Sequence, residues 1–351
     1  MTGCGLPVLY MLRLIMNKIL YAVIISFLLL SMKCSENKTT PKAAAKTPED
    51  IMNYVDSALY DDDLALIAVD RTLRSPGHQL VQDFCARRLA ELGFKVELDS
   101  YGTGVNVIGR IDGTGNPEEI VILSAHYDSR NAGCPGADDN ASGVAGVLEA
   151  ARVLAKTKYN RTLMIALWDE EEKSLTKPRG LHGSRAFAAR ARLEGREIVL
   201  SVVFEMIGYR SSNPWSQRFP ARMKKLFPDE MKKIAANKNR GDFICLTVNE
   251  DAQPYSDIYT GFANAIALPV VTLKMNPKTI KIHDFRRSDH AAFWEKDYSA
   301  MLIGDTANYR NTSYHCRNGR VDSISKLDTD FARDTIRATV ATMARILGIR
   351  F

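Results

Sequence analysis

The chain has 351 residues, 46% of them hydrophobic and 25% charged, enough to bury one large α/β core or two modest ones. That composition excludes a disordered chain. The net charge of +6 is mild and no basic run is interleaved with aromatics, so no nucleic-acid partner is expected.

From the N-terminus, Lys18 precedes an apolar stretch over residues 19–32 that suits a signal-peptide core and is short for a membrane span. Residues 1–34 are read as a signal peptide, lipoprotein signal or membrane anchor. The expectation is an exported protein of the periplasm or cell envelope, touching the membrane through this segment. Met16 offers an alternative start with a compact basic region. Cys34 stands where a lipoprotein cysteine would, although Lys33 occupies the place of the usual small residue. Residues 35–47, rich in Lys, Thr, Ala and Pro, read as a flexible tether. Beyond it lie Cys85, Cys134, Cys245 and Cys316, without CxxC spacing. Export would allow pairing, and Cys134 and Cys316 each lie near a candidate metal-binding segment; four buried thiols are the alternative.

Ser75-Pro76-Gly77 opens a helix with Val81, Cys85, Leu89 and Leu92 on one face and Gly93 at its end. Residues 95–98 and 105–111 alternate as a hairpin around Gly102-Thr103-Gly104. Residues 120–124 are continuously apolar, as in a strand buried on both faces, with His126 and Asp128 just beyond its end. After a turn through Gly133, Pro135 and Gly136, a helix is expected at about 141–155. A strand over 162–167 then leads to Glu171-Glu172, and a strand over 198–204 leads to Glu205. Residues 211–259 look irregular and basic, with Pro214, Pro220 and Pro228, and read as an insertion over the sheet edge. Strands over 268–273 and 300–303 complete the sheet, and Ile336, Val340, Met343 and Leu347 mark a last amphipathic helix. Residues 48–351 are thus predicted to form a single three-layer α/β domain with a mixed, mainly parallel sheet. Three strands deliver acidic or histidine side chains to one edge, where open α/β sheets place their sites.

Hydrolysis of an amide at neutral pH needs a nucleophilic water, a Lewis acid and a proton shuttle. Two zinc ions and one free carboxylate supply all three. Asp139 is the candidate bridging ligand, with His126 and Glu205 toward one ion and Glu172 and His315 toward the other. Glu171 is left as the general base, and Asp128, two residues past His126, as the carboxylate that accepts its second ring proton. Each segment alone is ordinary: a polar strand exit, a helix cap at Asp138-Asp139-Asn140, an acidic run from Asp169. Their shared sheet edge sets them apart.

These segments resemble metallopeptidase family 28, which holds co-catalytic zinc aminopeptidases, glutamate carboxypeptidases, glutaminyl cyclases and the transferrin receptor. The resemblance runs from about Arg74 to the C-terminus. It rests on SAHYDSRNAGCPGADDNASGVAGVLEAARVLA, IALWDEEE with GLHGSRAFA, EMIGY, SDHAAFW, and YH followed by Asp322. It implies a zinc exopeptidase fold, the ligand and base roles just given, a strained cis peptide between Asp139 and Asn140, and a supporting role for Asp289 and His290. Three features depart from the family pattern. About ten residues separate Glu172 from Gly183-Ser184, so the loop beside the base is extended. Glu205 replaces a commoner aspartate. The run Glu170-Glu171-Glu172 leaves the register open by one, and the last two are preferred because the strand reaches the edge at Trp168-Asp169. The expected function is an exported aminopeptidase that removes N-terminal residues from peptides using a water held between two zinc ions. A one-zinc glutaminyl cyclase, which the extended loop would permit, and a non-catalytic receptor or binding module are the alternatives.

Overall fold

The computed structural model describes residues 47–172, 179–280 and 282–350. The expected leader and residues 35–46 of the tether lie outside them, and among the described residues no helix is long and apolar enough to cross a membrane. In chain order the strands are β1 (Lys95–Ser100), β2 (Val105–Ile111), β3 (Asn116–His126), β4 (Lys158–Tyr159), β5 (Arg161–Trp168), β6 (Glu197–Glu205), β7 (Ile244–Asn249), β8 (Val270–Met275), β9 (Ala300–Gly304) and β10 (Ile349–Arg350). β4 and β10 pair with each other; the rest form one sheet in the order β1-β2-β5-β3-β6-β9-β7-β8. The central β5, β3, β6 and β9 are parallel, with antiparallel pairings on either side at β2 with β5 and β7 with β9. The sheet is therefore mixed and mainly parallel, as expected.

Strand alternation divides the apolar side chains between two cores. In β3, Val121, Leu123 and Ala125 join one core while Ile120 and Ile122 join the other; in β5, Leu163, Ile165 and Leu167 oppose Met164, Ala166 and Trp168. The first core is covered by α1 (Pro48–Met52), α2 (Ser57–Ile67), α3 (Pro76–Glu91), α4 (Gly143–Leu154), and further along the chain by the helices over 253–265 and 329–347. The second is covered by α5 (His182–Leu193), α6 (Met223–Leu226), α7 (Pro228–Ala236) and the helix over 290–294. Numbered on, these later helices are α8 (Gln253–Ala265), α9 (His290–Trp294) and α10 (Thr329–Leu347). α3 opens as its sequence requires, with the Ser75 hydroxyl accepting the His78 N–H and Pro76 in the first turn.

Four expectations are corrected. Residues 211–259 are not all irregular: β7 is wholly buried between β9 and β8. Pro228 opens α7 and Pro254 lies in the first turn of α8, where the missing N–H costs nothing. The strand after residue 120 continues through His126, so that side chain sits on the strand. The helix at 141–155 begins only at Gly143, after a distorted turn over 137–142. The strand placed at 268–273 runs instead over Val270–Met275, because Ala267 is left-handed at φ 57° and Pro269 cannot donate to a ladder.

Candidate metal centre

His126 ends β3 and Glu205 ends β6, and the parallel register sets the two strand ends level. His126 shares the parity of Ile120 and Ile122, so it faces the layer that holds α5 and α9. β5 ends on Trp168, whose ring packs 5.1 Å from that of Phe187 and 5.9 Å from that of Phe293. This anchor fixes where the acidic turn starts. Glu170 is left-handed at φ 57°, and its carboxylate accepts the Thr103 hydroxyl at 2.7 Å. Glu171 and Glu172 go to the site. Asp128 holds them there, its oxygens accepting the Glu171 N–H at 3.1 Å and the Glu172 N–H at 3.0 Å. One of those oxygens lies 3.4 Å from His126 Nδ1. One carboxylate therefore orients a histidine and pins the turn that carries the candidate base.

The turn over 137–142 carries Asp139, whose peptide to Asn140 is cis, as the resemblance implied. Gly136 before it is left-handed at φ 53°, and a Cβ there would collide with the Asp139 carbonyl. The turn grips the end of β6: Asn140 Nδ2 donates to the Phe204 carbonyl at 2.9 Å and its Oδ1 accepts the Met206 N–H at 3.0 Å. Asp138 Oδ1 accepts the Gly208 N–H at 3.0 Å. Asp322 accepts the N–H groups of Asp138 and Asp139, each at 3.1 Å. The Ser288 hydroxyl donates to Glu205 at 2.7 Å.

Two clusters result. His126 Nε2 lies 3.4 Å from Asp139 Oδ1 and 3.5 Å from Glu205 Oε2. His315 Nε2 lies 3.0 Å from Asp139 Oδ2 and 2.8 Å from Glu172 Oε1. Asp139 thus turns one oxygen to each imidazole. The ligand atoms of His126, Glu171 and Glu205 fall within 4.8 Å of one another, as do those of Asp139, Glu172 and His315. His126 Nε2, His315 Nε2 and Asp139 Oδ2 are all buried and, although oppositely charged groups approach them closely, none makes a hydrogen bond of good geometry. Orphaned polar atoms of this kind are costly, and cations between them would remove the cost. Imidazole nitrogens with carboxylate oxygens are a donor set that suits zinc.

Electrostatics follow from burial. Burial pushes the Glu171 carboxyl well above its ordinary range; the His126 charge opposes this, and Glu172, Glu205 and Asp289 reinforce it. Burial would raise Asp139 too, but its contacts with His126 and His315 outweigh that and hold it low. Burial opposes charge on His315, yet Asp139 and Glu172 raise it to about 9. Burial takes Asp289 up to about 7 and His290 down to about 4. His290 lines the site cavity, with Nε2 2.9 Å from the Phe285 carbonyl.

Two further supports brace these segments; the first, Arg71, carried no signal in the sequence, whereas the cysteines of the second stand beside candidate metal-binding segments in the sequence itself. Fully buried Arg71 donates to the carbonyls of Ile67, Val69, Tyr127, Pro135, Gly136 and Asp139, tying the His126 and Asp139 segments together. An arginine beside a turn looks like any surface arginine. A disulfide joins Cys134 to Cys316, while Cys85 and Cys245 are free and buried; the bond ties the loop before Asp139 to the residue after His315. His315 and Cys316 are left-handed at φ 58° and 51°, and Met206 after Glu205 at φ 56°. Strained non-glycine backbone gathers at functional sites.

A family model described as Peptidase family M28 matches residues 106–340. The uncharacterized protein YfbL of Escherichia coli K12 is 35% identical over 215 residues, 59% of this chain and 61% of its own length. A probable zinc metalloprotease of Pyrenophora tritici-repentis is 24% identical over 272 residues, 71% of this chain and 55% of its own. The chain thus spans little more than half the length of these curated relatives. Among solved structures, the LapA aminopeptidase of Legionella pneumophila matches with a TM-score of 0.64 and 18% identity, over 86% of this chain and 74% of its own. That likeness is one of fold.

Proposed function

The chain belongs to peptidase family M28, and we propose that it is an exported zinc exopeptidase, an aminopeptidase that releases N-terminal residues from peptides with two zinc ions. The observation that carries this reading is Asp139, one oxygen facing His126 and the other facing His315. His126, Asp139 and Glu205 would hold one ion, and Asp139, Glu172 and His315 the other. Zinc in these positions supplies a Lewis acid that polarises the scissile carbonyl and acidifies water.

The chain's own groups do the rest. Glu171, its basicity raised by burial, takes the proton of the attacking water and hands it to the leaving amine as the C–O bond forms and the C–N bond breaks. Asp128 holds the Nδ1 side of His126, which leaves the Nε2 lone pair directed at the cluster. Export is supported by the apolar segment over 19–32 and by the Cys134–Cys316 bond, since disulfides persist in oxidising compartments. Cys34 would then attach the chain to the envelope membrane, and Cys34→Ala is expected to release it into the soluble fraction; a soluble wild-type form that begins elsewhere in residues 35–47 refutes lipidation.

The deciding experiment incubates metal-quantified protein with free-amino and N-blocked peptides and reads the products by mass spectrometry. Stepwise loss of N-terminal residues from the free-amino peptides alone is expected, with about two zinc equivalents per chain. Cleavage from the C-terminus, cyclisation of N-terminal glutamine, or binding without turnover would each replace the aminopeptidase reading. One equivalent with full activity would remove His126 from the ligand set.

A further inference from the structure

The centre opens into a cavity of about 1180 Å³, larger than one residue of substrate needs. Part of its lining is apolar, with Met223, Leu273, Phe285 and Leu302, and part is cationic, with six arginines. Several of these are already matched: Arg185 pairs with Glu295 at 2.8 Å and Arg130 lies 3.6 Å from Glu172. Arg287 is different. Half-buried in the wall, it gives one N–H to Asn308 Oδ1 at 2.7 Å and one to the Tyr314 hydroxyl at 2.8 Å, both neutral acceptors. Among the described residues no carboxylate forms an ion pair with it, and the same holds for Arg317 on the same Tyr314 ring, 5.3 Å from its centroid. A guanidinium has five N–H donors, and these two contacts leave Arg287 three, the Nε–H among them, without an acceptor among the described residues. Its position is tied to the reacting centre: Tyr314 stacks on His315 with centroids 3.6 Å apart, and Ser288 next to Arg287 holds Glu205.

We propose that Arg287 is a specificity-determining residue that receives a carboxylate of the peptide substrate, so that the site prefers peptides carrying an acidic group close to the scissile bond. The inference rests on the peptidase reading above. A planar fork held by neutral partners recognises a carboxylate bidentately, while the apolar lining accepts the neighbouring side chain. The carboxylate has two sources, an Asp or Glu side chain or the C-terminus of a short peptide.

The test compares zinc-loaded wild type with Arg287→Gln and Arg287→Lys on matched peptides that differ only in Glu against Gln, and in a free against an amidated C-terminus. Wild type is expected to favour the carboxylate member of one pair by roughly tenfold to a hundredfold in kcat/KM. Arg287→Gln should erase that preference while retaining zinc, and Arg287→Lys should restore part of it. The Glu-for-Gln pair reports a side-chain source and the amidated pair a terminal one. Calorimetric binding of the same peptides to the Glu171→Gln protein, with and without Arg287→Gln, should show the same ratio without turnover. Equal rates on both members of both pairs in wild type, or an equal fall on all peptides in Arg287→Gln, would overturn the proposal and leave Arg287 a brace for Tyr314. Absence of hydrolysis of every peptide by the zinc-loaded wild type would overturn the peptidase reading and this inference with it.

Discussion

Glu170, Glu171 and Glu172 are chemically identical neighbours given three surroundings. Glu170 accepts from Thr103, Glu171 lies with His126 and Glu205, and Glu172 with Asp139 and His315. Glu171→Gln keeps the shape and removes the proton carrier, so turnover should fall on the order of a hundredfold or more with zinc content unchanged. Glu172→Gln should lower zinc content and activity together. Glu170→Gln should change neither by more than a few-fold. Elemental analysis beside initial rates reads all three, and a turnover defect at Glu170 with a metal defect at Glu171 would move the register by one. Asp128→Asn loses the charge that faces His126 while two backbone N–H groups still point at it. Zinc affinity should weaken by about tenfold to a hundredfold, measured by competition with a chelator.

At the scale of elements, the centre is a junction of loops, and two side-chain devices hold those loops together. Arg71→Met would strand several buried carbonyls at once. With about 1 kcal/mol or more for each unsatisfied group, the metal-free protein should lose at least about 3 kcal/mol in denaturant unfolding. The Cys134–Cys316 bond spans a sequence separation of 182 residues. Replacing both cysteines by serine should cost about 5 kcal/mol on a chain-entropy basis for a loop of that length, and zinc should fall first at the cluster containing His315. An unchanged unfolding curve would show that packing alone seats the His315 loop. Elements with a local cause were legible in advance: the amphipathic period and Ser75-Pro76 start of α3, the hairpin of β1 and β2, the doubly buried run of β3. β7 was hidden because three prolines precede it and its neighbours in the sheet, β8 and β9, come later in the chain. Nothing local says that residues 244–249 will be buried on both faces.

For the whole molecule, zinc is expected to act as a folding ligand as well as a catalytic one. A ligand that binds only the native state stabilises it by mass action, about 4 kcal/mol at a thousandfold excess over its dissociation constant. Stripping zinc should therefore lower the unfolding temperature, and restoring it should reverse the change; calorimetry that shows no shift would place the ions outside the folded core. Sequence by itself determined the three-layer α/β architecture, because apolar runs of strand length alternating with helical periods admit few packings. It also identified seven residues, Asp128, His126, Asp139, Glu171, Glu172, Glu205 and His315, that the fold brings together; five of them lie at or just past strand ends, which are local signals, while Asp139 and His315 lie in turns. The tertiary structure alone decided that Asp128 holds the acidic turn through two backbone N–H groups, that Arg71 ties two loops and that Cys134 meets Cys316. Those facts depend on residues far apart in the chain meeting at a few ångströms, and such distances are set by how the layers pack, which no local pattern encodes.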